Sequence, residues 1–315
     1  VRGSFLDFGC ALAFDAVLCG GILLGSGAAF AQAPLKVCLD EDRPPYSVAH
    51  GETGAGFDVA VSGALAQHLG RPLQIQWFES KMDEDASPTL DANALLSDGR
   101  CDIVAGYPLV ADSLGRPGLS STRMPDFHGA TAKDRGRRVA LGTLTPSHPY
   151  QRSALVLLLS PKVSQRSVRG LDDVGDLHFG VEGGTFGDAI LMMYQNGRLI
   201  DHITHYPVGQ GALLDRLEKG EIDASFLSLA RFDAYRHDHP QTQIRDSGYL
   251  YPIAFNLGYV TLTTHDELLA QINTAIDTMR SSGEIASIAK QNGITFVEPA
   301  EPFVSPGISF SQLAQ

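Results

Sequence analysis

The chain has 315 residues, 43% of them hydrophobic and 19% charged, a globular composition with enough material for one large domain or two lobes of moderate size. Its 36 acidic and 24 basic side chains give a net charge of -12, so the average field repels a nucleic-acid backbone and an anionic membrane surface. Wholesale disorder and nucleic-acid binding are excluded as default readings.

Residues 1–31 carry Arg2, the apolar stretch AVLCGGILLG and the small-residue run GSGAAFAQA, the pattern of a secretory signal peptide. Asp7 and Asp15 depart from that pattern, being acidic where such a segment is ordinarily basic or apolar. Cleavage after Ala31 is expected, because a cut after Ala33 would place Pro34 next to the scissile bond; the exported protein then starts at Gln32. No later apolar run reaches the roughly 20 residues that span a bilayer, so a periplasmic location is expected. Cys10 and Cys19 leave with the signal, and Leu18 before Cys19 does not fit lipoprotein processing. Cys38 and Cys101 remain, and in an oxidising compartment they read either as a disulfide or as two free buried thiols.

LKVCL (35–39) reads as a strand and GFDVAVSGALAQHLG as a helix, with Phe57, Val61, Ala64, Leu65, His68 and Leu69 on one face and Gly70 as its stop. LQIQWF (73–78) alternates as a strand, TLDANALLSDG (89–99) is a short helix, and CDIVAG (101–106) is a buried strand. A second set follows from about residue 177: strand LHFGV, helix TFGDAILMMYQNG, strand HITHYPV, helix GALLDRLEKG and strand EIDASFL. Two comparable α/β lobes are expected, the first from 32–152 plus 259–315 and the second from 153–258, with apolar hinge segments near 153–161 and 251–260. After the second hinge Thr264 and Glu267 stand at capping-box spacing before a long amphipathic helix. Two crossings between lobes make a cleft that can close on a small ligand.

The words KVCLDEDRPPYS, GFDVAVSGALAQHLG, GRCDIVAGYP, PYQRSALVLLLS, LDDVGDLHFGVEGGTFGD, LEKGEIDASFLS and ELLAQINTAIDTMRSSGEIASI occur in this order over nearly the whole exported chain. Together they resemble the periplasmic solute-binding proteins of the amino-acid type, family 3, which implies a type II two-lobed fold, a small-molecule ligand, an ABC transporter permease as partner, a monomeric state and no cofactor. The pair Cys38 and Cys101 with GRCDIVAGYP is similar to a narrower branch, the J proteins associated with quinoprotein methanol dehydrogenases, which implies a periplasmic dehydrogenase as an alternative partner. The resemblance places the Cys38 and Cys101 strands side by side, so a bridge between them is expected.

Ligands of open α/β sheets sit beyond the carboxyl ends of the strands. Asp40 and Tyr46 fall in the first such loop, where Pro44 and Pro45 restrict the backbone and present Tyr46 as a cleft wall or as an ordinary half-buried turn residue. After the Cys101 strand come Gly106, Tyr107 and Pro108, where the family ordinarily has a small residue and a threonine; Tyr107 is bulkier and Pro108 has no N–H. The family's carboxylate-binding arginine precedes its PY word, and here an insertion near 111–138, a candidate lid or docking loop, separates Gly106 from Tyr150. Arg138, with Arg137 beside it, is the candidate, against the reading of a solvated surface charge.

EGGTFGD places Gly184 and Thr185 at a helix N-terminus, as an anion contact or a plain turn. Ser228 stands where an amino-acid receptor has an aspartate for the ligand ammonium, which argues for a polar or anionic solute other than an ordinary α-amino acid. No GxSxG, HExxH, Walker loop or CxxC is present, and His202, His205 and the HDH at 237–239 read as solvated rather than metal-binding. A binding protein rather than an enzyme is expected; a dehydratase-type cleft enzyme would have to use Glu182.

Overall fold

A computed structural model describes residues 32–50, 53–80, 88–208 and 212–307. The expected signal peptide and its cleavage site before Gln32 lie outside these residues.

The first lobe starts with β1 (Leu35–Asp40), the short hairpin β2 (Asp42–Arg43) and β3 (Ser47–Val48), α1 (Phe57–His68), β4 (Leu73–Phe78), α2 (Pro88–Ser97) and β5 (Ile103–Pro108). β1 lies between β4 and β5, parallel to both. A small antiparallel hairpin, β6 (Ser121–Arg123) and β7 (Arg138–Ala140), precedes β8 (Leu144–Arg152), and the sheet is completed late in the chain by β14 (Asn256–Leu262) in the order β4-β1-β5-β14-β8. One face of this sheet is covered by α1, α6 (Asp266–Ser281) and α7 (Glu284–Gln291), through Val61, Leu65, Ile272, Ile276 and Ile285.

The second sheet is built from β9 (Leu155–Leu159), β10 (Phe179–Glu182), β11 (Ile203–Tyr206), β12 (Ala224–Ser228) and β13 (Arg245–Leu250), in the order β11-β10-β12-β9-β13, with α3 (Phe186–Met193), α4 (Ala212–Glu218) and α5 (Leu229–Asp238) interleaved. Both sheets mix parallel and antiparallel pairs, and both place the strand that returns from the other lobe beside parallel βαβ units.

Several elements differ from their sequence reading for reasons that lie in tertiary contacts. The strand expected at 101–106 runs from Ile103 to Pro108, because Tyr107 and Pro108 pair with Gly258 and Leu257 of β14. The apolar run 153–161 is mostly β9, buried at all five positions between β12 and β13, so its hydrophobicity reflects an interior strand. The chain crosses between sheets at Ser153 and Ala154, and again over 251–255, with Ser153 N–H donating to the Phe255 carbonyl at 2.8 Å. The buried side of α1 is Phe57, Asp58, Val61, Ser62, Leu65 and Ala66, which takes in two polar residues and leaves His68 paired with Glu284. α6 begins at Asp266 with His265 as its N-cap and no side-chain cap bond; the His265 N–H turns back on the Leu262 carbonyl, so Thr264 lies before the helix and the capping box does not form.

Cys38 and Cys101 form a disulfide with Cα atoms 5.6 Å apart. It sits in an apolar cluster with Ala92, Leu95 and Leu96 of α2. Met124 and Phe127 of the inserted segment 111–138 belong to the same cluster, with Leu114 and Ala130 packed against it, so these parts of the segment are packed on this face of the first lobe.

Candidate functional site

The carboxyl ends of β1, β4 and β5 open on one side of the first lobe. Ser47 Oγ donates to the Asp40 carbonyl at 2.7 Å, and the Asp42 N–H donates to Asp40 Oδ1 at 3.1 Å, which fixes the β2–β3 hairpin beside β1. The Tyr46 N–H closes a turn onto the Arg43 carbonyl, and the Arg43 guanidinium lies over the Tyr46 ring, 5.2 Å from its centroid.

Arg43 also reaches β5, where Nη1 donates to the Gly106 carbonyl at 2.7 Å. The Gly106 N–H donates to the Tyr150 hydroxyl at 2.7 Å, and that hydroxyl donates to Asp58 Oδ1 at 2.8 Å. Gly106 has φ +66°, and a Cβ there would stand 2.5 Å from Asp58 Oδ2 and 2.6 Å from Arg43 Nη1. Only glycine leaves room for both the carboxylate and the guanidinium beside this strand end, where they act on each other through charge rather than through a direct hydrogen bond.

Asp58 is 1% exposed, and burial pushes its carboxyl up to about 6, with Arg43 and the Tyr150 hydroxyl pulling it back. Burial likewise raises the Tyr46, Tyr150 and Tyr259 phenols, and the Tyr107 phenol to about 12, so all four stay neutral near pH 7. An acid whose folded value is raised favours folding below its unfolded value near 3.8, and loses that contribution as pH rises through about 6. For Asp58 the loss between pH 4 and pH 8 is on the order of 3 kcal/mol. Asp58→Asn, which keeps an acceptor for Tyr150, is expected to remove it. Urea unfolding of both proteins across this range checks the point; parallel profiles would show that Asp58 titrates alike in both states.

Two cavities meet at Arg43. One, of about 380 Å³, lies within the first lobe between Asp40, Asp58, Phe78, Thr89, Tyr107 and Arg43. The other, of about 860 Å³, is a cleft with Asp42, Arg43 and Tyr46 on the first-lobe wall and Ser228, Arg231 and Tyr235 on the second. Its second wall is set by α5: Ser228 Oγ accepts the Arg231 N–H at 3.4 Å as N-cap, and Arg231 in the first turn makes a two-pronged ion pair with Glu182. Glu182 is 4% exposed, and both its oxygens hold this guanidinium.

Of the residues singled out in the sequence, Asp40 and Tyr107 line the first-lobe cavity, and Tyr46 and Ser228 line the cleft. The Tyr107 hydroxyl donates to the Ser113 carbonyl at 2.6 Å. Gly184, Thr185 and Arg138 line neither cavity. Thr185 caps α3, and the Gly184 N–H donates at 2.8 Å to Asp188, whose other oxygen meets His205 at 2.9 Å. The helix terminus thus takes a carboxylate from its own first turn. Arg138 lies exposed on β7 and bonds Ser121, while Arg137 pairs with Asp98 at 2.7 Å. Arg43, Asp58 and Arg231 were not foreseen; the visible signs were a charge beside Pro44 and Pro45, an acid opening α1, and a cation three residues past Ser228.

Among the described residues no group of three or more His, Cys, Asp or Glu is arranged to hold a metal ion, and no helix is long and apolar enough to cross a membrane.

No protein-family model and no curated relative matches the chain. Solved structures do. The L-cystine solute receptor of Neisseria gonorrhoeae, in its unliganded open conformation, matches 84% of this chain and 96% of its own, with TM-score 0.58 and 18% identity. The chain has the two-lobed periplasmic-binding-protein fold. An ancestral cationic amino acid solute binding protein shares this periplasmic-binding-protein fold, with TM-score 0.53 and 17% identity over 82% of this chain and 94% of its own. In a periplasmic-binding-protein fold the cleft walls are the carboxyl ends of strands from both sheets, where Arg43 and Arg231 stand here. The fold by itself does not decide between binding and catalysis.

Proposed function

We propose that the protein is a periplasmic solute-binding protein that takes a small polar or anionic solute between its lobes and delivers it to an ABC transporter permease. The observation that carries this reading is the cleft of about 860 Å³ with one guanidinium, Arg43, on the first-lobe wall and another, Arg231, on the second. The shared fold with receptors for L-cystine and cationic amino acids supports a solute in the cleft, but its polar chemistry favours a different one. Ser228 caps α5, and the buried carboxylates Glu182 and Asp233 are bonded to Arg231 and to Thr295 and Arg236. Among the described residues the ammonium of an α-amino acid would therefore meet no unengaged buried carboxylate on the second wall.

A thermal-shift screen against amino acids, small carboxylates and alcohol-derived metabolites tests the reading. A carboxylate at about 100 times its Kd should stabilise the protein by about 2.7 kcal/mol. Amino acids stabilising the protein while carboxylates do not would overturn the ligand class, and a blank screen would overturn the receptor.

One observation favours a second reading, an accessory protein of a periplasmic quinoprotein dehydrogenase. The end of β5 is engaged internally: the Gly106 N–H is bonded to Tyr150, its carbonyl to Arg43, and Pro108 has no N–H to offer. A blank solute screen together with co-purification of such a dehydrogenase is the result this reading expects.

A further inference from the structure

Arg43 lines both cavities, and beside it in the first-lobe cavity stands the carboxyl group of Asp58, which is 1% exposed. Asp58 Oδ1 is held by the Tyr150 hydroxyl at 2.8 Å, while Oδ2 and Arg43 Nη1 approach the bare Cα of Gly106 together. The titratable groups facing Asp58 are Arg43 from β2, Tyr46 from the loop after it, Tyr150 from β8 and Tyr259 from β14. Of these only Arg43 is charged near neutral pH, and the carboxyl groups of Asp40 and Asp42 line the same cavity, so an ionised Asp58 is the buried counter-charge of Arg43 and its protonation removes one of the acids that offset the guanidinium. Among the described residues Arg43 makes one side-chain hydrogen bond, from Nη1 to the Gly106 carbonyl, which leaves the rest of its donor fork towards the cleft.

We propose that Asp58 is a positioning residue for solute capture: ionised, it holds the Arg43 guanidinium inward against β5, and protonated, it yields that guanidinium to an anionic group of the solute, so that anion and proton bind together. This rests on the solute-binding reading of the cleft. The shift of Asp58 to about 6 makes both states accessible near neutral pH. Linkage is reciprocal: an anion on Arg43 weakens the attraction that keeps Asp58 ionised, and protonation of Asp58 strengthens anion binding by the same factor. Affinity for a carboxylate solute should therefore rise by up to about tenfold as pH falls from 7.5 to 5.5.

Carboxyl-carbon and arginine side-chain NMR titrations of the wild-type protein, run in sulfate and in chloride at equal ionic strength, test this without a known solute. The Arg43 signals should move with the Asp58 midpoint, and sulfate should raise that midpoint by about half a unit or more relative to chloride. Arg43→Gln should remove the sulfate effect. Equal midpoints in the two salts, or Arg43 signals that ignore the titration of Asp58, would overturn the proposal. A blank solute screen with a sulfate-sensitive midpoint would sink the receptor reading alone. A bound solute with a sulfate-insensitive midpoint would sink this inference alone.

Discussion

Replacing Cys38 and Cys101 together by alanine is expected to lower the stability of the protein by about 4 kcal/mol, the largest single effect that a non-catalytic change should have here. The estimate follows from the 63-residue separation of the two cysteines, since a loop of that length restricts the unfolded chain strongly. In the folded protein the bridge joins neighbours. Cys38 stands opposite Val104 across the β1–β5 pair, and the Cα separation of 5.6 Å is ordinary for a disulfide. The strands can therefore pair without the bond, and the loss should appear as easier unfolding of a native-like fold. Both sulfurs are in the cluster under α2, with Cys38 0% and Cys101 2% exposed, so a thiol reductant should leave the bridge intact until urea opens the lobe. Urea unfolding of the double variant measures the loss. Thiol titration of the denatured protein should find two free thiols fewer without reductant than with it, and an unchanged unfolding midpoint in the double variant would refute the stabilising role.

How far the sequence discloses this architecture depends on the range of the forces involved. β4 is found where the alternation LQIQWF places it, because half-buried strands write their period locally. β5 is displaced by two residues because its end is set by β14, about 150 residues further on, and no local pattern carries that pairing. The same holds for the site. Asp58 reads as an acid favoured in the first turn of a helix, which it is, but its burial behind Arg43 depends on Tyr150 arriving from β8 and on the missing side chain of Gly106. The inserted segment 111–138 reads as a loop because Met124 and Phe127 follow no period, yet both are buried in the cluster that holds Ala92, Leu95 and Leu96 of α2. In contrast, the fate of the α3 terminus was legible: Thr185 and Asp188 stand at the spacing at which a helix supplies a carboxylate to its own first N–H groups.

Removing Arg231 is expected to cost more than removing the acid it pairs with. Glu182 is 4% exposed whereas the Arg231 side chain is 34% exposed, so the two partners differ in what each leaves behind. Arg231→Met takes from a buried carboxylate the guanidinium that both its oxygens hold, a loss of about 3 kcal/mol. Glu182→Gln leaves a guanidinium that water already reaches, and the amide can still accept one of its N–H groups, so about 1 kcal/mol is expected. Urea unfolding at pH 7 separates the two variants; equal losses would mean that the pair is solvated and contributes little. The same variants bear on function. Arg231 forms part of the cleft wall, so Arg231→Met should weaken an anionic solute by at least tenfold, while Glu182→Gln, which frees the guanidinium, should bind it as well as wild type or better. A dehydratase-type role would predict the opposite pattern, turnover abolished by Glu182→Gln, and it would need a carboxylate whose two oxygens already hold Arg231 to release one for proton transfer.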